Sequence, residues 1–403
     1  MTSIISFSSS ILGSQAPRLT TLPPLSLYIH LPWCVKKCPY CDFNSHETHN
    51  GNIPENDYVA ALIRDLENAL PQIWGRKVVS IFFGGGTPSL FSAHSIDAIL
   101  TAVRTLLPME HLAEVTLEAN PGTVEAQKFA DFHSAGINRL SLGIQSFNSL
   151  HLKALGRIHD GNESHYAVEI AQRNFDNVNL DLMYALPGQT LAEAHEDIQH
   201  ACTLGIAHIS AYHLTLEPNT LFHRYPPSLP NDDLAAEMQI MIEQTLASNG
   251  YTNYETSAFS QPGLESRHNL NYWLFGDYLG IGAGAHSKIS FADRIVRQVR
   301  YKQPKEYLSW SALDTPLQDQ HEVGRDERGF EFMMNALRLT AGFSSEMFQQ
   351  RTGLPITAIQ QQLNEAEQRG LIVRDHLRVT PTPVGRRFLN DLLQIFLPEK
   401  SEL

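Results

Sequence analysis

Six short apolar or β-branched runs recur along the first half of the chain: Ser26–His30, Val78–Phe83, Glu114–Glu118, Arg139–Leu142, Val178–Met183 and His208–Leu214. Between them lie segments of amphipathic helical spacing, such as Tyr58–Leu66 and Gln127–Ser134. Six β-α units in order leave the chain few choices. They imply a parallel sheet curled towards a barrel, an α/β architecture. Sites on such sheets sit at the carboxyl ends of the strands, so the residues just after each run matter more than those inside it.

Behind the first run comes His30-Leu31-Pro32-Trp33-Cys34-Val35-Lys36-Lys37-Cys38-Pro39-Tyr40-Cys41, three cysteines in the spacing C-x-x-x-C-x-x-C. The chain has four cysteines in all, and the remaining one, Cys202, stands far away in a helical pattern, where it reads as a small buried residue. Thiolates are soft donors that bind iron and zinc, and three on one tight loop leave a four-coordinate site open at one position. The plainer readings of the loop are a redox pair, a structural zinc site completed by His30 or His46, or three unrelated thiols. Chance clustering is improbable in a chain with so few cysteines, and zinc cysteines are usually spaced differently.

Polar or glycine residues punctuate the ends of the other runs. The second leads into Phe83-Gly84-Gly85-Gly86-Thr87-Pro88, where missing Cβ atoms would let backbone N–H groups approach a ligand. Glu118 ends the third, Gln145 follows the fourth, Asp181 lies in the fifth, and Arg157 precedes the helix before it. Any one of these could be a helix cap, but their recurrence near strand ends points to a shared cavity.

With Tyr28 and His30 ahead of it, the cysteine motif resembles that of the radical S-adenosylmethionine (SAM) superfamily. From about Leu25 to the C-terminus the chain resembles the branch that contains oxygen-independent coproporphyrinogen III oxidase and its heme-chaperone relatives. The resemblance implies a partial (β/α)6 radical SAM barrel. It implies a 4Fe-4S cluster on Cys34, Cys38 and Cys41, whose fourth iron is chelated by the amino and carboxylate groups of SAM. It also implies contacts to SAM from Tyr28, Gly85, Gly86, Thr87, Glu118, Gln145, Arg157 and Asp181. The oxidases carry a further cysteine two places after the third, whereas this chain reads Cys41-Asp42-Phe43-Asn44, as the heme chaperones do. That departure argues against decarboxylase activity.

Further on, Arg267-His268-Asn269-Leu270-Asn271-Tyr272-Trp273 is similar to the H-N-x-x-Y-W motif tied to heme binding in the chaperone group. The resemblance implies His268 as a heme ligand with Tyr272 or Trp273 against the macrocycle; the bland alternative is a hydrogen-bonded core histidine among the chain's 18. The run from Asp277 to His286 contains Gly280, Gly282 and Gly284 and reads as cavity wall or as a turn between strands, with His286 as an alternative ligand. Phe291–Val296 looks like a hairpin without chemistry.

The expected organisation is a flexible extension over 1–24, the radical SAM barrel over 25–225, a barrel extension with the heme-type motif and hairpin over 226–325, and a small domain over 326–403. In that last part helical spacing takes over at Phe330–Leu339, Ser345–Thr352 and Ile356–Arg369, followed by Leu371–Arg374 and Leu377–Thr380 as a two-stranded wing. This resembles a winged helix. Such modules often bind DNA, but the Glu365-Ala366-Glu367 face and a formal charge of −13 disfavour nucleic acid. A lid or protein-docking role is expected instead.

No apolar run approaches the roughly 20 residues that span a bilayer. Clustered cysteines argue for a reducing, cytoplasmic setting and against a disulfide framework. Residues 1–24 are Ser-rich with one basic residue, Arg18, which is too little positive charge for a secretory leader. Two function classes remain. One is a chaperone that binds heme and hands it to an apo-hemoprotein acceptor, respiratory in the family, with peripheral membrane association through that acceptor. The other is a radical decarboxylase of a tetrapyrrole propionate. Heme binding and substrate turnover separate them.

Overall fold

All six expected strands form in the computed structural model, which describes residues 19–48, 52–123 and 126–398. They are β1 (Leu25–Leu31), β2 (Val78–Gly85), β3 (Met109–Ala119), β4 (Arg139–Gln145), β5 (Val178–Tyr184) and β6 (His208–His213). They pair in parallel in chain order. Helices α1 (Glu55–Ile73), α2 (Ala93–Leu106), α3 (Ala126–Ala135), α4 (Gly161–Asn174) and α5 (Leu191–Thr203) fill the crossovers. Two of them start at capping boxes, Asp160 with Glu163 and Thr190 with Glu193, which fix where strand-end loop becomes helix.

Successive strand side chains point to opposite faces, and here the two faces differ in chemistry. Leu27, Ile29, Ile81, Leu117, Leu140 and Leu180 belong to the apolar core under the helices. The alternate residues face the inside of the curled sheet and are polar: Ser26, Ser80, Glu114, Ser141, Asn179 and His208, all buried. They satisfy one another. Ser26 Oγ meets Ser80 Oγ at 2.7 Å, and Asn179 donates to Ser141 Oγ at 2.7 Å and to Asp181 at 2.9 Å. Interior hydrogen bonds of this kind stiffen the barrel, because each partner lost would leave a desolvated polar group.

Beyond β6 the sheet grows on both edges. After α6 (Asp232–Ser248), β7 (Thr252–Asn253) and β8 (Ala258–Ser260) extend it antiparallel past β6. Helix α7 (Arg267–Trp273) then crosses back, and β9 (Asp277–Ile281) joins the free side of β1 in parallel. Antiparallel β10 (His286–Ser290), β11 (Ile295–Arg300) and β12 (Leu317–Glu322) complete a twelve-stranded sheet. The glycine run read as cavity wall or turn is therefore strand β9 and the bend into β10, and the expected hairpin is the β10–β11 turn.

The expected small domain is present. Helices Glu327–Ala336, Ser345–Thr352 and Gln360–Gln368, the last entered through a 3-10 turn at Ile356–Ile359, pack with a three-stranded sheet. The third strand, Phe343–Ser344, pairs with Arg378–Pro381 opposite Ile372–Arg374. Its core contains Phe332, Phe343 and Phe348 and is continuous with Phe275 and Ile295 of the barrel extension. Leu19 joins the same core at 6% exposure, and its N–H donates to the Ala292 carbonyl at 2.8 Å. Arg76 and Asp277 hold the Pro23 and Pro24 carbonyls. The extension expected to be loose over 1–24 is thus pinned from Leu19 onward; the rest of it lies outside the described residues.

Asp277 anchors the added strands. Its fully buried carboxylate takes Lys288 Nζ, Arg76 Nη1, and the Ser290 N–H and hydroxyl, all at 2.8 Å. Removing one partner from such a cluster strands the others without solvation. Asp277→Ala is expected to destabilise the chain by about 3–5 kcal/mol, read as a lower urea midpoint at unchanged slope; an unaltered midpoint would contradict this account of the β9–β11 edge.

Candidate cofactor site

The cysteine loop folds back on itself directly after β1. Trp33–Cys34 forms a two-residue parallel pair with His46–Glu47, and the Thr48 N–H closes on the Cys34 carbonyl at 2.9 Å. Cys41 N–H bonds to the Cys38 carbonyl, and Lys37 Nζ caps the Phe43 carbonyl at 3.0 Å. The loop is held against β2 by glycine. A Cβ on Gly86 would lie 2.5 Å from the Trp33 carbonyl oxygen, and Gly85 has φ of +114° with the His30 ring in the place of a side chain. The expectation that these glycines offer N–H groups to a ligand is not met. Gly86 N–H donates to the Leu31 carbonyl, Thr87 N–H to the Trp33 carbonyl, and Gly85 N–H to Glu118 at 3.2 Å.

Cys34, Cys38 and Cys41 are free, half-buried thiols that line one cavity of about 360 Å³. Each has a polar neighbour: Thr87 Oγ1 donates to Cys34 Sγ at 3.6 Å, Arg157 Nη1 to Cys38 Sγ at 3.6 Å, and Cys41 Sγ lies 3.8 Å from Ser45 Oγ. Hydrogen bonds to sulfur are among the devices that tune a thiolate-held cluster. Burial pushes the Cys34 and Cys41 thiols up, so metal loading must displace protons. Among the described residues no three His, Cys, Asp or Glu side chains close on a single ion. His30 is not free to complete a zinc site. Its Nδ1 bonds Tyr28 Oη at 3.0 Å and its Nε2 the Asn44 carbonyl at 2.9 Å.

Gly85, Gly86, Thr87, Glu118, Gln145, Arg157 and Asp181 line the same cavity as the thiols. Arg157 is fixed by Asn120 Oδ1 at 2.6 Å and the Gly143 carbonyl at 2.7 Å. Gln145 holds φ of 68°, a left-handed conformation costing about 1–3 kcal/mol in a non-glycine residue. Burial, reinforced by Asp181, pushes Glu118 up to about 8, and burial raises Asp181 against hydrogen bonds from Ser141 and Asn179. Tyr28 lies across Glu118, in a second chamber that adjoins the first. Asn120, Tyr212 and His213 also line the thiol cavity and were not singled out from sequence. Tyr212 and His213 end β6, so the strand-end rule carried the signal.

His268 lies elsewhere. It is 1% exposed in α7, which plugs the amino-terminal end of the barrel, and it lines neither cavity. Its Nδ1 bonds Ser80 Oγ at 2.9 Å, its ring stacks on Phe82 and meets Tyr272 edge-on, and Nε2 is buried without a partner among the described residues. Burial pushes it down to about 3, so it is neutral.

A three-cysteine loop after the first strand of a partial β/α barrel, with polar residues on the following strand ends, is the arrangement of a radical SAM protein. The Radical SAM superfamily model matches residues 28–201, and that of the HemN C-terminal domain matches 323–388. The heme chaperone HemW of Escherichia coli is 46% identical over 385 residues, covering 94% of this chain and all of that protein. The Haemophilus influenzae protein of the same name is 48% identical over 94% of this chain and 99% of its own length, and that of Bacillus subtilis is 35% identical over 93% and 99%. The solved structure of E. coli coproporphyrinogen III oxidase (HemN) covers 93% of this chain and 90% of its own with a TM-score of 0.79 at 22% identity, a likeness of fold. The chain belongs to the HemW family.

Two outcomes are expected. Glu118 is raised from 4.5 to about 8, so the ligand-free protein should lose stability as pH rises across that window, and Glu118→Gln should flatten the loss; equal pH slopes in melting temperature would contradict the burial argument. Cys38→Ala should abolish iron-sulfur absorbance after anaerobic reconstitution, and equal absorbance would remove the thiols from the site.

Proposed function

We propose that this chain is a heme chaperone: it binds heme and passes it to an apo-hemoprotein, while Cys34, Cys38 and Cys41 hold a 4Fe-4S cluster and the adjoining cavity holds SAM. The observation that carries this reading is the near full-length identity of 46% and 48% to proteins named as heme chaperones. Phe43, 61% exposed at the rim of the thiol cavity, supports it, since it stands where the resemblance places a further cysteine in the oxidases. When bound, the cluster supplies a single electron to the sulfonium of SAM.

The chain's own residues then divide the work. Glu118 and the glycine carbonyls accept from the ammonium of SAM, Arg157 steadies Cys38 and the β4 end through Gly143, and Thr87 donates to Cys34. The acceptor, a respiratory hemoprotein, brings the chain to a membrane only peripherally, for no helix among the described residues is long and apolar enough to cross one. A cytoplasmic setting fits three reduced thiols awaiting a cluster.

The test is a heme titration of anaerobically reconstituted protein beside a coproporphyrinogen decarboxylation assay with SAM and reductant. Stoichiometric heme binding without decarboxylation is expected. Decarboxylation would make the chain an oxidase despite Phe43.

A further inference from the structure

The second chamber, of about 810 Å³, lies between the cysteine loop and the β9–β10 edge and falls in the upper part of the range for small-molecule sites, about 300–1,000 Å³. Its wall is less acidic than that of the thiol cavity, although Asp42 and Glu118 line both. There Lys36 and Arg157 face four carboxylates, Asp42, Glu118, Asp181 and Glu217. Here Lys37 and Lys302 supply ammonium groups, Tyr272 and Tyr278 supply aromatic wall, and His286 supplies an imidazole. The two tyrosine rings are set edge to face at 4.5 Å, and Arg297 holds the Tyr278 hydroxyl at 2.7 Å.

We infer that this chamber is where the chain seats heme, with His286 as the axial ligand to iron and Lys302 receiving a propionate. The inference rests on the heme-chaperone reading and adds the site. Of the three histidines on the chamber wall, His30 has both ring nitrogens engaged and His46 has its Nε2 buried. His286 is exposed, begins β10, and its ring makes no hydrogen bond among the described residues. Desolvation of its ring and the charges of Lys302, Arg297 and Arg300 lower its pKa, which favours the unprotonated nitrogen that iron takes. Heme seated here would border the cluster loop directly, since Cys41, Ser45 and Glu118 line both cavities.

The full chain, reconstituted anaerobically, is titrated with heme and followed by Soret absorbance and by electron paramagnetic resonance of the ferric form. His286→Ala should weaken binding by about 10- to 100-fold, as loss of a group close to a metal does, and shift the Soret band, with added imidazole restoring the wild-type band. Lys302→Glu should weaken binding about fivefold with the band unchanged, the size of effect a surface ion pair has. Iron-sulfur absorbance and circular dichroism equal to wild type show that each variant is folded. Wild-type affinity and band in His286→Ala, or loss of the histidine-type band in His268→Ala alone, would overturn the site while leaving the chaperone reading intact. Failure of the unmodified chain to bind heme at all would overturn the reading itself.

Discussion

The contact of the second strand's glycine end with the Pro32–Trp33 backbone sets the position of the whole site. At Gly86 any side chain would collide with the Trp33 carbonyl, and the N–H groups of Gly86 and Thr87 are tied to carbonyls on either side of Pro32. The loop that carries three thiols is thereby fastened to the barrel rim at its first residue and not left to hang from β1. Thr87, the next residue, reaches Cys34, and Asn120 joins Thr87 to Arg157 and so to Cys38. One chain of hydrogen bonds thus runs around the cavity wall and fixes two of the three thiols from three different strand ends. A site built on strand termini gains its precision from such cross-links.

The cavity so formed is electrostatically costly until it is filled. Glu118 and Asp181 are both buried beside one another, which is why burial and mutual repulsion keep Glu118 protonated near neutral pH. With its pKa pushed up to about 8, ionising it at neutral pH costs free energy that a cationic ligand would offset on binding. The site therefore favours ligands that bring positive charge and disfavours ones that bring carboxylates. The adjoining chamber shares Asp42 and Glu118 but adds Lys37 and Lys302, so it is less acidic. Glu118 forms part of both walls, so its charge state is felt on each side.

The barrel was legible because its strands alternate with helices and because each run has a β-branched or apolar outer face. Cysteine spacing and strand-end polar residues located the site, since the rule that ligands gather at carboxyl ends depends on topology alone. What escaped had physical reasons. β9 was obscured by Gly280, which reads as a turn but is required where the His286 carbonyl passes 2.1 Å from the position of a Cβ. β12 is Leu-Gln-Asp-Gln-His-Glu, almost wholly exposed at the sheet edge, so no hydrophobic period marks it. Leu19 buries in the small domain's core through contacts that no local pattern encodes. The lid role expected for that domain also fails on position: none of its residues lines either cavity.

His268 is tied into the barrel by its helix and lines neither cavity. In α7 the residues His268, Asn271 and Tyr272 fall at i, i+3 and i+4, on one face of the helix. That face enters the amino-terminal end of the barrel, with Glu114 accepting the N–H groups of Arg267 and His268 at the helix start, where a carboxylate is favoured. His268 bonds Ser80, and Asn271 bonds Ser26 and the Asp277 carbonyl, so the helix ties β2, β1 and β9 together. Only the third residue of the stripe, Tyr272, reaches a cavity, and it does so with its ring braced edge-on by His268. The motif's histidine braces an aromatic wall of the second chamber, and His286 of the next strand pair stands on the same wall with no ring hydrogen bond among the described residues.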